Sequence, residues 1–221
     1  MRLFLVCVGF LAAACSGCAA PPPVSDYQKF YSESSFSVVV PPVRNLTVDA
    51  EAPRYFISTV TKPLVDRGYY VIPVELTSEI LAAEGIQDGG ALINVPPSRY
   101  RKYFGADAVL LITLQSWDTT YLVFASSVTV AMEYKLVSTA SEEILWEAAF
   151  SETITSDSGS GSGGHPLADL IVAAISAAAT AAGTDYVPLA RKANLRAFST
   201  LPSGPYNPNF ESEKAFYLGQ P

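Results

Sequence analysis

Apolar residues fall along this chain in two rhythms, a period of two and a period near 3.6, punctuated by Gly, Pro and Ser. The run FSVVV at residues 36–40 is β-branched and stops at Pro41-Pro42, which predicts a buried strand. A helical pattern opens at Asp49 or Glu51. It carries Tyr55, Phe56, Thr59, Pro63 and Leu64 at helical spacing and closes at Gly68. Pro63 inside the pattern predicts a kink or a break. YYVIPV at 69–74 reads as a second strand, and Thr77 as the cap of a short helix over 78–84 closed by Gly85. After a polar Gly/Pro loop, Ser98 is expected to cap a helix running through Tyr103 and ended by Gly105.

AVLLITL at 108–114 is apolar on both faces and belongs in the middle of a sheet. Residues 121–136 alternate, with Leu122, Phe124, Val128, Val130, Met132, Tyr134 and Leu136 on one face and Ser127, Thr129, Glu133 and Lys135 on the other. That predicts a long strand with one wet face. Across a polar turn at 138–143, residues 144–155 repeat the alternation through Ile144, Trp146, Ala148, Phe150 and Ile154, so the two strands form an antiparallel hairpin. SDSGSGSGGHP at 156–166 has the composition of a flexible loop. Pro166 suits the first turn of an almost wholly apolar helix over 167–182, and a further helix over 187–198 carries Arg191, Lys192 and Arg196. From Leu201 the tail is Pro/Gly/Tyr-rich and reads as irregular. Its Tyr206, Phe210, Phe216 and Tyr217 either wrap the domain or dock a partner. The expected fold class is α/β: a layered mixed β-sheet with flanking helices and a C-terminal antiparallel hairpin followed by helices.

The N-terminus changes the picture. Three cysteines lie within the first eighteen residues and none follows. Arg2 precedes an apolar run over residues 3–14, shorter than the ~20 residues of a spanning helix and followed by small residues, which reads as a secretory signal. A small residue before a cysteine at that position resembles the lipobox of bacterial lipoproteins, in which the cysteine is acylated and becomes the first mature residue. Ser16-Gly17-Cys18 and Ala13-Ala14-Cys15 both fit. Cleavage before Cys18 leaves no spare thiol in an oxidising compartment, so Cys18 is the expected lipidation site, with Cys15 the alternative. The organisation is then a signal peptide over 1–17, a lipidated Cys18 with a Pro-rich tether over 18–35, one α/β domain over 36–200 and a tail over 201–221. Pro21-Pro22-Pro23 makes the start of the tether a semi-rigid spacer. Ala19 after the cysteine, by likeness to the lipoprotein sorting rule, implies the outer membrane.

Composition then limits the partners. Apolar residues make up 49% of the chain and charged residues 16%, which excludes disorder over most of it. Without Arg2 the chain has 13 bases against 21 acids, a balance of −8. An acidic domain on a lipid tether excludes nucleic acid as a natural partner and keeps the domain soluble.

The segments VVVPPVRN, GYYVIPV, FGADAVLLITL and VTVAMEYKLVSTASEEILWEA, in that order, resemble the CsgG-type and TolB N-terminal-type periplasmic domains. The likeness is closer to a family of proteobacterial outer-membrane lipoproteins of unknown function that includes a genome-derived neisserial antigen. Arg54-Tyr55-Phe56, the stretch from Gly105 to Val109, the Gly/Ser loop over 156–164, and Leu-Pro-x-Gly-Pro-Tyr ending at Tyr206 carry it, from Cys18 to about Pro208. One departure is the hairpin turn, Ser138-Thr139-Ala140-Ser141-Glu142-Glu143, which lacks the Gly usual there. The resemblance implies an envelope lipoprotein, an accessory in assembly or secretion, and no known chemistry.

The residues agree on chemistry. GSGSGG at 159–164 matches a dinucleotide fingerprint letter for letter, with Asp185 about twenty residues on, but the preceding strand belongs to an antiparallel hairpin and no parallel strand follows. His165, the only histidine, has no cysteine or histidine at metal-site spacing and no nucleophile-elbow motif near it. Glu142-Glu143 reads as solvated turn charge, and Asp107 as a local cap or pair. Ala173, Ala177 and Ala181, with Ala174 and Ala178, have small-xxx-small spacing suited to core packing or helix–helix contact. No catalytic residue, cofactor or metal is expected. The expected function is a non-catalytic, lipid-anchored envelope accessory that forms a homo-oligomer or binds a partner lipoprotein. A CsgG-like pore subunit is the alternative, and an envelope-polymer hydrolase ranks last.

Overall fold

The computed structural model describes residues 27–33, 37–121, 126–155 and 187–219. Its strands are β1 (Ser37–Val39), β2 (Arg44–Asn45), β3 (Tyr70–Val71), β4 (Ala108–Tyr121), β5 (Ser126–Ser138) and β6 (Ile144–Thr155). Its helices are α1 (Gln28–Glu33), α2 (Ala52–Asp66), α3 (Val74–Ala83), α4 (Pro97–Phe104), α5 (Val187–Ala197) and α6 (Phe210–Leu218). The sheet order is β3-β1-β4-β5-β6, with β2 also pairing β4. β1 and β2 run parallel to β4, whereas β4, β5 and β6 form an antiparallel meander. This is the mixed layered α/β sheet expected from the pattern.

β1 and β2 are one strand path broken by Pro41-Pro42. Prolines have no N–H for the ladder, so pairing to β4 lapses between Val39↔Val109 and Arg44↔Thr113. β4 continues well past the apolar run, to Tyr121, and the strand expected over 121–136 begins at Ser126. The hairpin is therefore two hairpins, with Tyr121 opposite Ser126. The stretch 115–120, polar except for Trp117, hid the second half of β4 from the pattern. A register shift between Leu114 and Ser116 changes its parity. Leu110, Ile112 and Leu114 lie inward before the shift, and Trp117 lies inward after it. A second shift between Leu136 and Val137 buries both Leu145 and Trp146. It leaves Ile144 exposed, contrary to the inward face its spacing predicts.

α2 runs through Pro63 to Asp66, so the expected break does not occur. Pro63 gives up the N–H that would reach the Thr59 carbonyl, and its ring is buried. The second strand is only Tyr70–Val71, because α3 starts at Val74. Thr77 is not its cap. It is buried inside the helix, where its hydroxyl donates to the Pro73 carbonyl at 3.1 Å. Pro96, not Ser98, stands at the N-cap of α4, and Gly105 ends it in the left-handed conformation.

Two cores result. The larger lies between the sheet and α1, α2 and α5, and includes Phe56, Leu64, Trp117, Tyr134 and Phe198. The smaller gathers Val39, Tyr100, Ala106, Val109 and Val137 around α4. The segment read as tether contributes α1, which buries Phe30 and Tyr31. The tail read as irregular contains α6, and Tyr31 stacks on its Tyr217 at 5.5 Å.

Candidate docking groove

The lipobox, with Cys15 and Cys18, lies outside the described residues, as do the GSGSGG loop, His165 and the Ala-rich run carrying Ala173 and Ala177. Asp107 is described, and its role is structural. Its carboxylate accepts from the Ser37 N–H at 3.0 Å and the Ser37 hydroxyl at 2.8 Å, which pins β1 beside the start of β4. The pairing is local in space but spans seventy residues of sequence. Glu143 pairs with Lys29 at 2.8 Å, and the Glu142 carboxylate accepts from the Ser98 N–H at 3.4 Å. Both sit in the exposed turn, with Glu142 at φ 63°, where the missing turn Gly would have been at ease.

Two polar clusters went unread in the sequence, and both hold the fold. Asn194 on α5 is wholly buried. Its Oδ1 accepts from the Tyr134 hydroxyl at 2.7 Å, and its Nδ2 donates to Thr59 Oγ1 at 2.9 Å and the Phe56 carbonyl at 3.2 Å. Burial raises the Tyr134 hydroxyl well above an ordinary tyrosine, so it donates at any physiological pH. The other cluster clasps the tail. Glu213 accepts from the Tyr31 hydroxyl at 2.7 Å, the Ser203 N–H at 3.0 Å and the Ser203 hydroxyl at 2.8 Å. Burial pushes its carboxyl upward, but those hydrogen bonds and the Arg67 charge outweigh it, and the net shift is downward.

A concavity offering a docking surface lies over the smaller core. It holds about 550 Å³ between α3, a short 3₁₀ turn (Gly89–Leu92) and α4. Ile80, Leu81, Leu92, Val95, Tyr100 and Phe104 give it an apolar lining, and Glu84 and Arg99 stand at its sides. The local sequence places them. Ile80 and Glu84 are one turn apart on α3, as are Arg99 and Tyr103 on α4, so each pair shares one helix face. Tyr100 is 3% exposed, yet its hydroxyl has no hydrogen-bond partner among the described residues, and burial pushes it up to about 12. Leu76, Ile80, Ile93 and Tyr103 are 44–66% exposed along or beside the groove. Such spacing in short helices predicts amphipathicity, but no sequence signal showed that the apolar residues of α3 and α4 would exceed what the core can bury. Among the described residues no group of three or more His, Cys, Asp or Glu could hold a metal ion, and no helix is long and apolar enough to cross a membrane.

Residues 25–205 match the family described as "Putative lipoprotein GNA1162-like". The chain belongs to this family. A lipoprotein of Neisseria meningitidis serogroup B is 30% identical over 129 residues, 58% of this chain and 60% of the relative, so the chain spans about three fifths of that relative's length. The crystal structure of lipoprotein GNA1162 from Neisseria meningitidis is 28% identical, with a TM-score of 0.52, covering 65% of this chain and 97% of that one. A chain of the PelC dodecamer from Paraburkholderia phytofirmans is 14% identical, with a TM-score of 0.46, covering 78% of this chain and 89% of that one. For a GNA1162-like chain, the sequence features that suggested the family have physical roles here. Phe56 meets Trp117 edge-on at 5.3 Å and Tyr55 stacks on it at 6.0 Å, while Asp107 ties β1 to β4. Gly204 passes so close to the turn after α2 that a Cβ on it would lie 2.5 Å from the Gly68 carbonyl oxygen. Helix α6 begins after the matched residues end.

Proposed function

We propose that this GNA1162-like lipoprotein is a non-catalytic accessory in outer-membrane assembly or secretion. It is acylated on Cys18, carried on a short Pro-rich tether, and works by seating a partner or further copies of itself. The exposed apolar groove between α3 and α4 carries the reading. Leu76, Ile80, Ile93 and Tyr103 expose apolar surface around a concavity, which is what a binding surface requires and a self-sufficient core does not. Acyl chains on Cys18 supply anchoring at ~0.8 kcal/mol per buried CH₂, and more than one chain makes it stable. Ala19 supports the outer membrane as its destination.

Cross-linking in intact envelopes, followed by peptide mapping, tests the binding role. Cross-links from Lys102, beside the groove, to a partner protein or a second copy are expected, and only intramolecular links would contradict it. Labelled palmitate tests the anchor. Wild type should take up label and the Cys18→Ser variant should not; label retained in that variant would move acylation to Cys15.

A further inference from the structure

Both ends of the chain meet at a second cleft, of about 430 Å³, which shares no lining residue with the α3–α4 groove. Arg67, the residue that ends α2, lines it and is half-buried. A guanidinium offers five N–H donors. Here Nη2 donates to the Leu201 carbonyl, Nε is buried without a partner, and no carboxylate among the described residues lies within ion-pairing distance. Glu213 lines the same cleft, but its oxygens already accept from Tyr31 and Ser203. A charge drawn partly out of water with so few partners is costly unless an anion meets it. Ser199, Thr200 and Ser212 line the cleft as well. Their hydroxyls donate to the carbonyls of Arg196 at 2.7 Å, Ala197 at 3.1 Å and Asn209 at 2.8 Å. That spends each donor and leaves each oxygen free to accept. Phe216 adds a ring that is 67% exposed and meets Tyr217 edge-on at 5.1 Å.

We infer that this cleft binds the free carboxylate end of a peptide or acylated amino acid whose last side chain is apolar. The carboxylate meets Arg67, the amide N–H meets a hydroxyl oxygen, and the side chain covers Phe216. The volume falls among those of small-ligand sites, ~300–1,000 Å³. Glu213 in the same wall disfavours a doubly charged phosphate, whereas a single carboxylate suits one guanidinium. A wholly apolar ligand would leave Arg67 and the hydroxyl oxygens unmet. Ser212, Glu213 and Phe216 stand on α6, beyond the matched residues 25–205, so the site depends on this chain's tail. It is separate from the docking role proposed above, and failure of either leaves the other standing.

A ligand-observed NMR titration of the full-length protein in mild detergent, against detergent alone, tests this. The probes are N-acetyl-phenylalanine, its C-terminal amide and 3-phenylpropionate. N-acetyl-phenylalanine should bind saturably. The amide, which removes only the charge, should bind at least ~10-fold more weakly and needs no change in the protein. 3-Phenylpropionate keeps carboxylate and ring but lacks the amide N–H, so it should fall between them. Phe216→Ala, at an exposed ring, should keep the fold and weaken binding of the acid ~3-fold or more. Arg67→Gln should abolish the preference for acid over amide. Arg67 also holds Leu201, but a loosened tail would lower both probes alike and leave their ratio intact. No saturable binding of the acid, or equal binding of acid and amide to wild type, overturns the inference. A preference that survives Arg67→Gln overturns Arg67 as the anchor. 3-Phenylpropionate binding as tightly as N-acetyl-phenylalanine overturns the peptide end.

Discussion

Asn194 sits wholly buried on a stripe of α5 that otherwise presents Leu189, Ala190, Ala193 and Ala197 to the core. It survives there because its amide links Tyr134 on β5 with Thr59 and Phe56 on α2. Replacing it with Ala removes the oxygen acceptor of the buried Tyr134 hydroxyl and leaves it only the Met132 sulfur. Asn194→Ala should therefore destabilise by about 1–3 kcal/mol, as a lower midpoint in urea with an unchanged slope. Glu213 makes a pH-dependent prediction. Its folded pKa lies below the ordinary carboxylate range, so its contribution is fully present above about pH 4 and is lost as pH falls through the folded value. Against Glu213→Gln, wild type should melt higher at pH 7, and the gap should close below about pH 4. A gap independent of pH would remove the carboxylate from the clasp. Neither residue was legible in the sequence. An Asn on a helix face and a Glu in a polar tail look solvated until long-range packing supplies their partners.

At the scale of elements, the apolar pattern located β1, α2, α4, the core of β4, β6 and α5, because burial on a sheet or helix face imposes those periods directly. It misplaced the β4–β5 boundary, since residues 115–120, polar except for Trp117, continue β4 and a register shift resets the parity that alternation relies on. The tail eluded it for another reason. The Leu201 carbonyl accepts from Arg67, Tyr69 donates to the Pro202 carbonyl at 2.8 Å, and the Gly204 N–H donates to the Arg67 carbonyl at 2.7 Å. These bonds hold an extended segment without any period of its own. Gly204 is the point of closest approach, and a methyl there meets backbone that cannot yield. Gly204→Ala should cost about 1–3 kcal/mol in thermal unfolding, with the tail becoming protease-sensitive before the sheet does. An unchanged melt would mean that the tail contributes little to holding α1 and α2.

The whole molecule is an α/β layer with an N-terminal helix and a C-terminal helix clasped together on one face and an apolar, two-signed groove over the smaller core. The fold class was legible because it is written in short-range pattern. The groove was not, because it is what remains after α3 and α4 have buried what they can. Native mass spectrometry of wild-type protein drawn from envelopes reads anchor and association together. The account predicts a mature chain beginning at Cys18, heavier by its acyl chains and held to a partner or a second copy. An unacylated monomer that starts beyond residue 18 would contradict both the tether and the docking role.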